Sequence, residues 1–312
     1  MPNRTRQLAE NALMLGIAAV LLFFGTYTFV SGIALTLVPV PFILLAVRRS
    51  VRDMLLIVGC FGILGLIIAG LGGILSALLM GLVGMTMGLL YKQRDTAFAA
   101  VVGGAGAFLA ATVASLAISI YVMGVDFTGE LRQASERLIN GEVPIPLPPG
   151  LSEAEWKSQV QQQIDMILSL LPLLFVMASF VMSLLNHWLA RLISKRLARP
   201  LPALKPLREW SFPRSLLYYY FFALLSLLLF QSKLEGTFWG DALLNVKIML
   251  DVLFAIQGLS LCLLFFYLKN WKGIAPVLVV SLFIFPYLTN ILSLIGILDM
   301  GVGLRNRLQS RK

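Results

Sequence analysis

Long apolar runs without a charged side chain constrain this chain more than any other feature. Residues 12–30, 54–71, 97–123 and 252–268 contain no Asp, Glu, Lys or Arg, and 164–189 contains only Asp165. Each reaches or approaches the roughly 20 residues that carry a helix across bilayer hydrocarbon. With 59% hydrophobic and 13% charged residues in 312, no single water-soluble core could hide so much apolar side chain. The fold class that follows is all-α: a polytopic transmembrane helical bundle with eight or nine membrane segments, for which the lipid bilayer is the solvent.

The net charge of +10 does not point to nucleic acid. A nucleic-acid face interleaves Lys and Arg with aromatics on a soluble surface, whereas here they cluster between apolar runs. Cys60 and Cys262 both fall inside apolar segments, which argues for packing residues rather than a disulfide framework or thiolate metal site. Arg4 and Arg6 precede a first apolar stretch that runs on too long for a signal peptide, so it reads as an uncleaved first helix.

Nine apolar segments emerge: about 12–30, 33–47, 54–71, 74–91, 97–123, 164–189, 215–231, 243–268 and 274–298. The second carries Pro39 and Pro41 and is expected to be broken or tilted. Lys and Arg mark the cytoplasmic loops. Arg4 and Arg6, Arg48, Arg49 and Arg52, Lys92 and Arg94, the stretch from Arg191 to Arg214, and Lys269 with Lys272 occupy alternate connections, which places the N-terminus in the cytoplasm. The 124–163 loop is acidic through Asp126, Glu130, Glu136, Glu142, Glu153 and Glu155, and is assigned outside.

Within that loop, Leu131, Ala134, Leu138 and Ile139 recur at helical spacing and predict a short surface helix, followed by a proline-extended stretch at 145–149. A plain spacer is the alternative. Ser152 and Glu155 have capping-box spacing, predicting a helix that starts there and runs into the sixth segment. Nine crossings would leave Arg305, Arg307, Arg311 and Lys312 outside, against the charge rule. Either the last segment, interrupted by Pro286, is re-entrant or an earlier one does not span; eight crossings put both ends inside. Trp188, Trp210, Tyr218 to Tyr220, Trp239 and Trp271 fall at segment ends and read as interfacial anchors.

Gly103, Ala107, Ala111, Ser115 and Ser119 lay a small-residue groove along the fifth segment, and Gly84 and Gly88 make a GxxxG pair beside Gly81. Close packing within the chain is the simplest use of such faces; docking onto a membrane partner is the sharper one. Lys247 and Asp251, four residues apart, share one helical face inside the eighth segment. Intramembrane ionisable groups are functional candidates, here weighed against a structural ion pair. Gln257, and Tyr287 and Asn290 around Pro286, are the other polar side chains expected to face the bundle interior, since a proline-broken helix frees backbone groups to line a cavity.

His187, the single histidine, sits with Asn186 at the end of the sixth segment and is expected to be solvated at the interface rather than catalytic. One His and no intramembrane Glu exclude a zinc-protease motif and a His-centred triad, so no enzyme and no cofactor or metal is expected. No P-loop motif occurs, so energy would come from a partner or an ion gradient. The proline-rich basic stretch 191–214 is expected to lie against anionic headgroups, with partner docking as the alternative. The expected organisation is a six-helix membrane half (1–190), this basic loop, and a C-terminal membrane part (215–312).

Val38-Pro39-Val40-Pro41 with Arg48 and Arg49, Gln257-Gly258-Leu259-Ser260, and Gly296-Ile-Leu-Asp299 with Arg305 resemble the YybS-like family of bacterial multi-pass membrane proteins of unassigned function. That family is in turn similar, over about its first six helices, to the substrate-binding S components of energy-coupling factor transporters. The resemblance implies six helices with both ends in the cytoplasm. It also implies binding of a small molecule from outside, and docking through small-residue faces onto a transmembrane coupling subunit driven by two ATPases. The docking face of the first helix is matched by Ala12 and Gly16, and three segments follow Leu189. The expected function is that of an inner-membrane transport component; the alternative is a non-transporting scaffold for cell-envelope or signalling partners.

Overall fold

A computed structural model describes residues 4–29, 31–94, 96–122, 124–125, 129–130, 133–134, 136–137, 152–196, 200–234, 236–271 and 273–309. Leu131, Leu138, Ile139 and the 145–149 stretch lie outside them, as do Arg199, Lys272, Arg311 and Lys312. Among the described residues every regular element is a helix, and there are no strands. It divides into two compact units: Met1–Gln161 with Leu174–Leu204, and Gln162–Leu173 with Lys205–Lys312.

The first unit begins with α1 (Arg4–Tyr27), followed by α2 (Ser31–Leu37) and α3 (Pro39–Ala46). The α2/α3 break falls at Val38 because Pro39 and Pro41 lack the amide hydrogens that would continue the ladder, while a proline fits a helix's first turn. Nearby, Asn186 Nδ2 donates to the Thr36 carbonyl at 2.9 Å. Every residue of α3 is buried, making this short proline-led helix the centre of the unit. Phe42 packs on Phe61 with ring centroids 4.9 Å apart.

α4 (Val51–Arg94) is two helical arms that meet at Ala69 and Gly70, both with non-helical backbone angles. A Cβ built on Gly65 would lie 2.7 Å from Ala77 Cβ, one on Gly62 3.1 Å from Leu78 Cγ, and one on Gly81 3.2 Å from Val58 Cγ1. In a straight helix, residues 58 and 81 would stand about 34 Å apart at 1.5 Å per residue. The two arms are therefore an antiparallel hairpin, close to the boundary predicted between the third and fourth segments. Tyr27 caps the bend, its hydroxyl donating to the Ile68 carbonyl at 2.6 Å.

Gly70 turns the hairpin with φ +62° and ψ −145°, a region that side-chain-bearing residues essentially do not visit. Gly70→Ala is expected to cost about 1–3 kcal/mol. Gly59→Ala, where a Cβ would meet nothing within 4 Å, is the matched control, with thermal unfolding in detergent as the readout.

The faces read as small-residue grooves meet partners within this chain. Gly84 abuts the Pro39 carbonyl, and a Cβ on Gly88 would lie 2.6 Å from the Ile43 carbonyl, so the GxxxG pair seats α3. In α5 (Ala97–Tyr121), Gly103 meets Leu90, and Ala107 and Ala111 pack in a cluster with Val83 and Phe108. Ser115 and Ser119 are half-buried farther along. Ala12 and Gly16 are exposed on α1, with nothing within 4 Å of a Cβ at Gly16.

Three expectations need correction here, those for His187, Cys60 and Tyr220. His187 is buried rather than solvated: α7 (Leu171–Ser194) continues almost two turns past it, and the Tyr91 hydroxyl is hydrogen-bonded to its Nδ1. Cys60 is exposed rather than packed. Arg49, read as one of the basic residues of a cytoplasmic connection, is held by partners on α1. It is buried, with Nε donating to Asn11 Oδ1 at 3.0 Å and Nη2 3.2 Å from Glu10 Oε2. Tyr220 is half-buried, edge-on to Phe254, instead of anchoring an interface.

α6 (Glu153–Ser169) carries the predicted capping box: Ser152 Oγ donates to Glu155 Oε2 at 2.6 Å, and the Glu155 amide donates back to Ser152 Oγ at 3.3 Å. The helix does not run unbroken into α7; it stops at Leu170. The Ser152 hydrogen bonds hold the Glu155 carboxyl below its ordinary value. A carboxyl lowered on folding contributes stability above its unfolded value, which disappears as pH falls through the folded one. Protection of the Ser152 and Glu155 amides, relative to intrinsic exchange at the same pH, should therefore fall through the acid end of the carboxylate range, and Glu155→Gln should flatten that dependence.

The second unit holds α8 (Ser215–Leu229), α9 (Gln231–Leu234), α10 (Phe238–Leu268), α11 (Ile274–Ile284), α12 (Leu288–Val302) and α13 (Leu304–Gln309). α10 and α12 cross at Gly258 and Gly296. A Cβ on Gly258 would run into the Leu292 carbonyl, and one on Gly296 into that of Phe254. Pro286 breaks the predicted ninth segment into α11 and α12, about 16 and 22 Å long. Ala275 near the start of α11 shares a cavity with Pro206, Leu207 and Arg208, while Arg305 beyond α12 donates to the Arg208 carbonyl at 3.2 Å. Both ends of the α11–α12 pair thus meet the same 206–208 turn, which makes it a hairpin.

Among the described residues, five helices are long and apolar enough to cross a membrane: 5–27, 51–94, 97–121, 171–194 and 238–268. The apolar stretches 32–46, 215–229 and 288–302 are shorter.

Candidate functional site

Two polar constellations occur in the second unit, both built on α10. The first is an open cleft of about 440 Å³ between α10, the end of α11 and the start of α12. Its walls are aliphatic: Ile248, Val252, Ala255, Ile256 and Leu259 from α10, Leu282 from α11 and Leu292 from α12. Asp251 on one side and Thr289, Asn290 and Ser293 on the other are its polar groups. The break at Pro286 produces this composition, because α12 restarts at Leu288 and brings the three polar side chains of its first two turns to the opening.

Lys247 and Asp251 pair as their spacing predicted, with Nζ 2.8 Å from Oδ2 and both side chains nearly a third exposed. Asp251 lines the cleft and Lys247 does not. Tyr287, expected to face inward, is exposed outside the cleft; it occupies the turn before α12, where no neighbouring helix covers it.

The second constellation is buried. Gln257 points away from the cleft: its Nε2 donates to Asp299 Oδ2 at 2.6 Å, and its Oε1 accepts from the Phe212 amide at 3.1 Å. Asp299 Oδ1 accepts from the Arg305 amide at 2.8 Å, and Arg305 Nε lies 3.9 Å from Oδ2. Arg305 Nη2 donates to Ser260 Oγ at 2.6 Å, and Ser260 in turn donates to the Trp210 carbonyl at 2.7 Å. Gly303, in the left-handed conformation with φ +70°, ends α12 and swings Arg305 back over Asp299. Arg208 stacks on Tyr267 with its guanidinium carbon 4.0 Å from the ring centroid.

The resemblance singled out Gln257, Gly258, Ser260, Gly296, Asp299 and Arg305 as separate short stretches, and the structure unites them in this crossing and network. Sequence reasoning missed the contributions of Arg208, Trp210 and Phe212, which enter through backbone atoms and leave no side-chain signature. Pro39, Pro41 and Arg49 lie instead in the first unit, where a cavity of about 200 Å³ is lined only by apolar side chains, Val40 and Pro41 among them. Among the described residues, no group of three or more His, Cys, Asp and Glu could hold a metal ion.

The family model described as "Predicted membrane protein (DUF2232)" matches residues 16–300. The chain is also similar to the protein named "Uncharacterized protein YybS" of Bacillus subtilis (strain 168). The two are 26% identical over 322 residues, which cover 98% of this chain and 100% of that protein. No solved structure matches. The matched stretch runs from α1 through Asp299 and takes in both units, so the chain belongs to the DUF2232 family of membrane proteins.

Proposed function

We propose that this chain is a small-molecule binding and uptake component of a bacterial inner membrane, with its ligand site in the α10–α12 cleft. The cleft carries the reading. It joins an intramembrane carboxylate to three hydrogen-bonding side chains on otherwise aliphatic walls, beside a broken hairpin, and membrane binding sites are built from such parts. This places the ligand in the second unit rather than among the first six segments.

In this reading the N-terminus is cytoplasmic and α11–α12 is a re-entrant hairpin. Pro286 parts its two helices, and both ends of the pair meet the 206–208 turn. Eight crossings then leave both termini inside, and the tail satisfies the charge rule. The same reading takes the first half as an S-component-like bundle, whose open small-residue face at Ala12 and Gly16 would receive a transmembrane coupling subunit and its ATPases.

Purification of the tagged chain in mild detergent tests this. Co-purifying ATPase and coupling subunits support it; envelope-assembly proteins without any ATPase would favour a scaffold. In parallel, Asp251→Asn should abolish complementation of a deletion strain while folded protein stays near its normal level. Loss of the folded protein would make the pair structural.

A further inference from the structure

We infer that the cleft selects a ligand carrying a protonated amine on an apolar body, with Asp251 as its counter-charge and Lys247 as the cation it displaces. This rests on the cleft being the ligand site and adds the class of ligand.

The argument begins with the asymmetry of the ion pair. Asp251 borders the cleft while Lys247 lies one turn away and does not, so an incoming ligand meets the carboxylate. The two groups also differ in how they leave the membrane interior. Lys247 is nine residues from the start of α10, about 14 Å along it, and Asp251 is thirteen, about 20 Å. A lysine's four-carbon stem lets the ammonium snorkel towards the interface, whereas the short aspartate stays at its depth.

A ligand ammonium can therefore take the place of the Lys247 ammonium on Asp251 while Lys247 swings outward. The carboxylate is never left unpaired, and the charge beside it does not change. An anionic ligand has no such exchange available: it would meet the carboxylate and suffer like-charge repulsion in a medium of low dielectric. Thr289, Asn290 and Ser293 offer acceptors to the remaining ammonium hydrogens.

The size of the site selects an organic ammonium over a bare ion. About 440 Å³ falls in the range of small-molecule pockets, and seven of the eleven lining residues are aliphatic, so much of the occupant's surface is apolar.

The test uses the full chain in nanodiscs of phosphatidylglycerol, with n-octylammonium, 1-octanol and octanoate as probes and empty nanodiscs subtracting partition into lipid. Ala255→Trp, which fills the cleft, should abolish protein-dependent binding of n-octylammonium. The amine should bind at least tenfold more tightly than the alcohol, with octanoate weakest. Asp251→Asn should erase that order, and so should the Asp251→Asn/Lys247→Met double variant, in which neither charge is left unpaired. Lys247→Met alone should strengthen amine binding severalfold, because the competitor is gone.

If Ala255→Trp changes the binding of none of the three probes, the cleft is not the ligand site and the functional reading falls. If Ala255→Trp abolishes binding but the amine holds no advantage, or keeps it in both Asp251→Asn variants, the site stands and the choice of an amine is overturned. Competition by added phosphatidylethanolamine would support the amine and assign it to a lipid headgroup; its absence alongside tight n-octylammonium binding supports a free amine.

Discussion

Gly296→Ala is expected to lower the stability of the second unit by about 3 kcal/mol, at the upper end of what overpacking a core costs. The added methyl meets the Phe254 carbonyl and the Gly258 amide, and backbone cannot rotate aside as a side chain could. Relief requires α10 and α12 to separate along their whole contact, which also loosens Phe254 and Met300 in the shared core cluster. Gly258→Ala should behave alike, since its Cβ would meet the Leu292 carbonyl. Gly301→Ala is the internal control: it lies on α12 too, but a Cβ there meets nothing within 4 Å. It should be neutral or slightly stabilising through helix propensity. Thermal unfolding in detergent, read alongside proteolysis of the 205–309 segment, measures all three; equal shifts for Gly296→Ala and Gly301→Ala would refute the close crossing.

Arg305→Met is expected to cost about 3–5 kcal/mol, the usual penalty for leaving one member of a buried ion pair alone. Asp299 has a side chain only 2% exposed and would keep just the Gln257 amide and the Arg305 backbone amide as partners. Ser260 and the Arg208 carbonyl would lose their donor as well. The double variant Asp299→Leu/Arg305→Met should recover much of the loss, because removing both charges removes the desolvation penalty with them. Arg305→Lys should fall between, since one ammonium does not reproduce a guanidinium that bonds Arg208 and Ser260 from separate nitrogens. A double variant less stable than Arg305→Met alone would mean that the network contributes more than its charges require.

Legibility from sequence followed the range of the interaction involved. The apolar runs, the break beside Pro39 and Pro41, the Ser152–Glu155 cap and the Lys247–Asp251 pair involve residues a few positions apart. Each reappears in the structure close to where the spacing put it. The separation of the third and fourth segments was legible too, although the turn lies at Ala69 and Gly70, slightly before the expected gap. Burial was read less well. His187 and Tyr220 read as interfacial and Arg49 as part of a cytoplasmic connection, because polar or amphipathic residues near segment ends show no neighbours in the local sequence. Their actual surroundings come from Tyr91, Glu10 and Phe254, which are distant in sequence.

For this chain the sequence alone determined the solvent: uncharged helical runs long enough to cross hydrocarbon leave a bilayer as the only medium in which so many apolar surfaces are tolerated. It also determined which residues carry polarity inside those runs. Only the tertiary structure decided how they are grouped. Gly258 and Gly296 meet because two backbones approach to contact, Gln257 turns away from the cleft that Asp251 faces, and Arg305 reaches an Arg208 carbonyl 97 residues away. The physical reason is that helix periodicity sets the face a residue occupies, whereas the neighbour on that face is chosen by close packing and by the need of every buried polar atom for a partner.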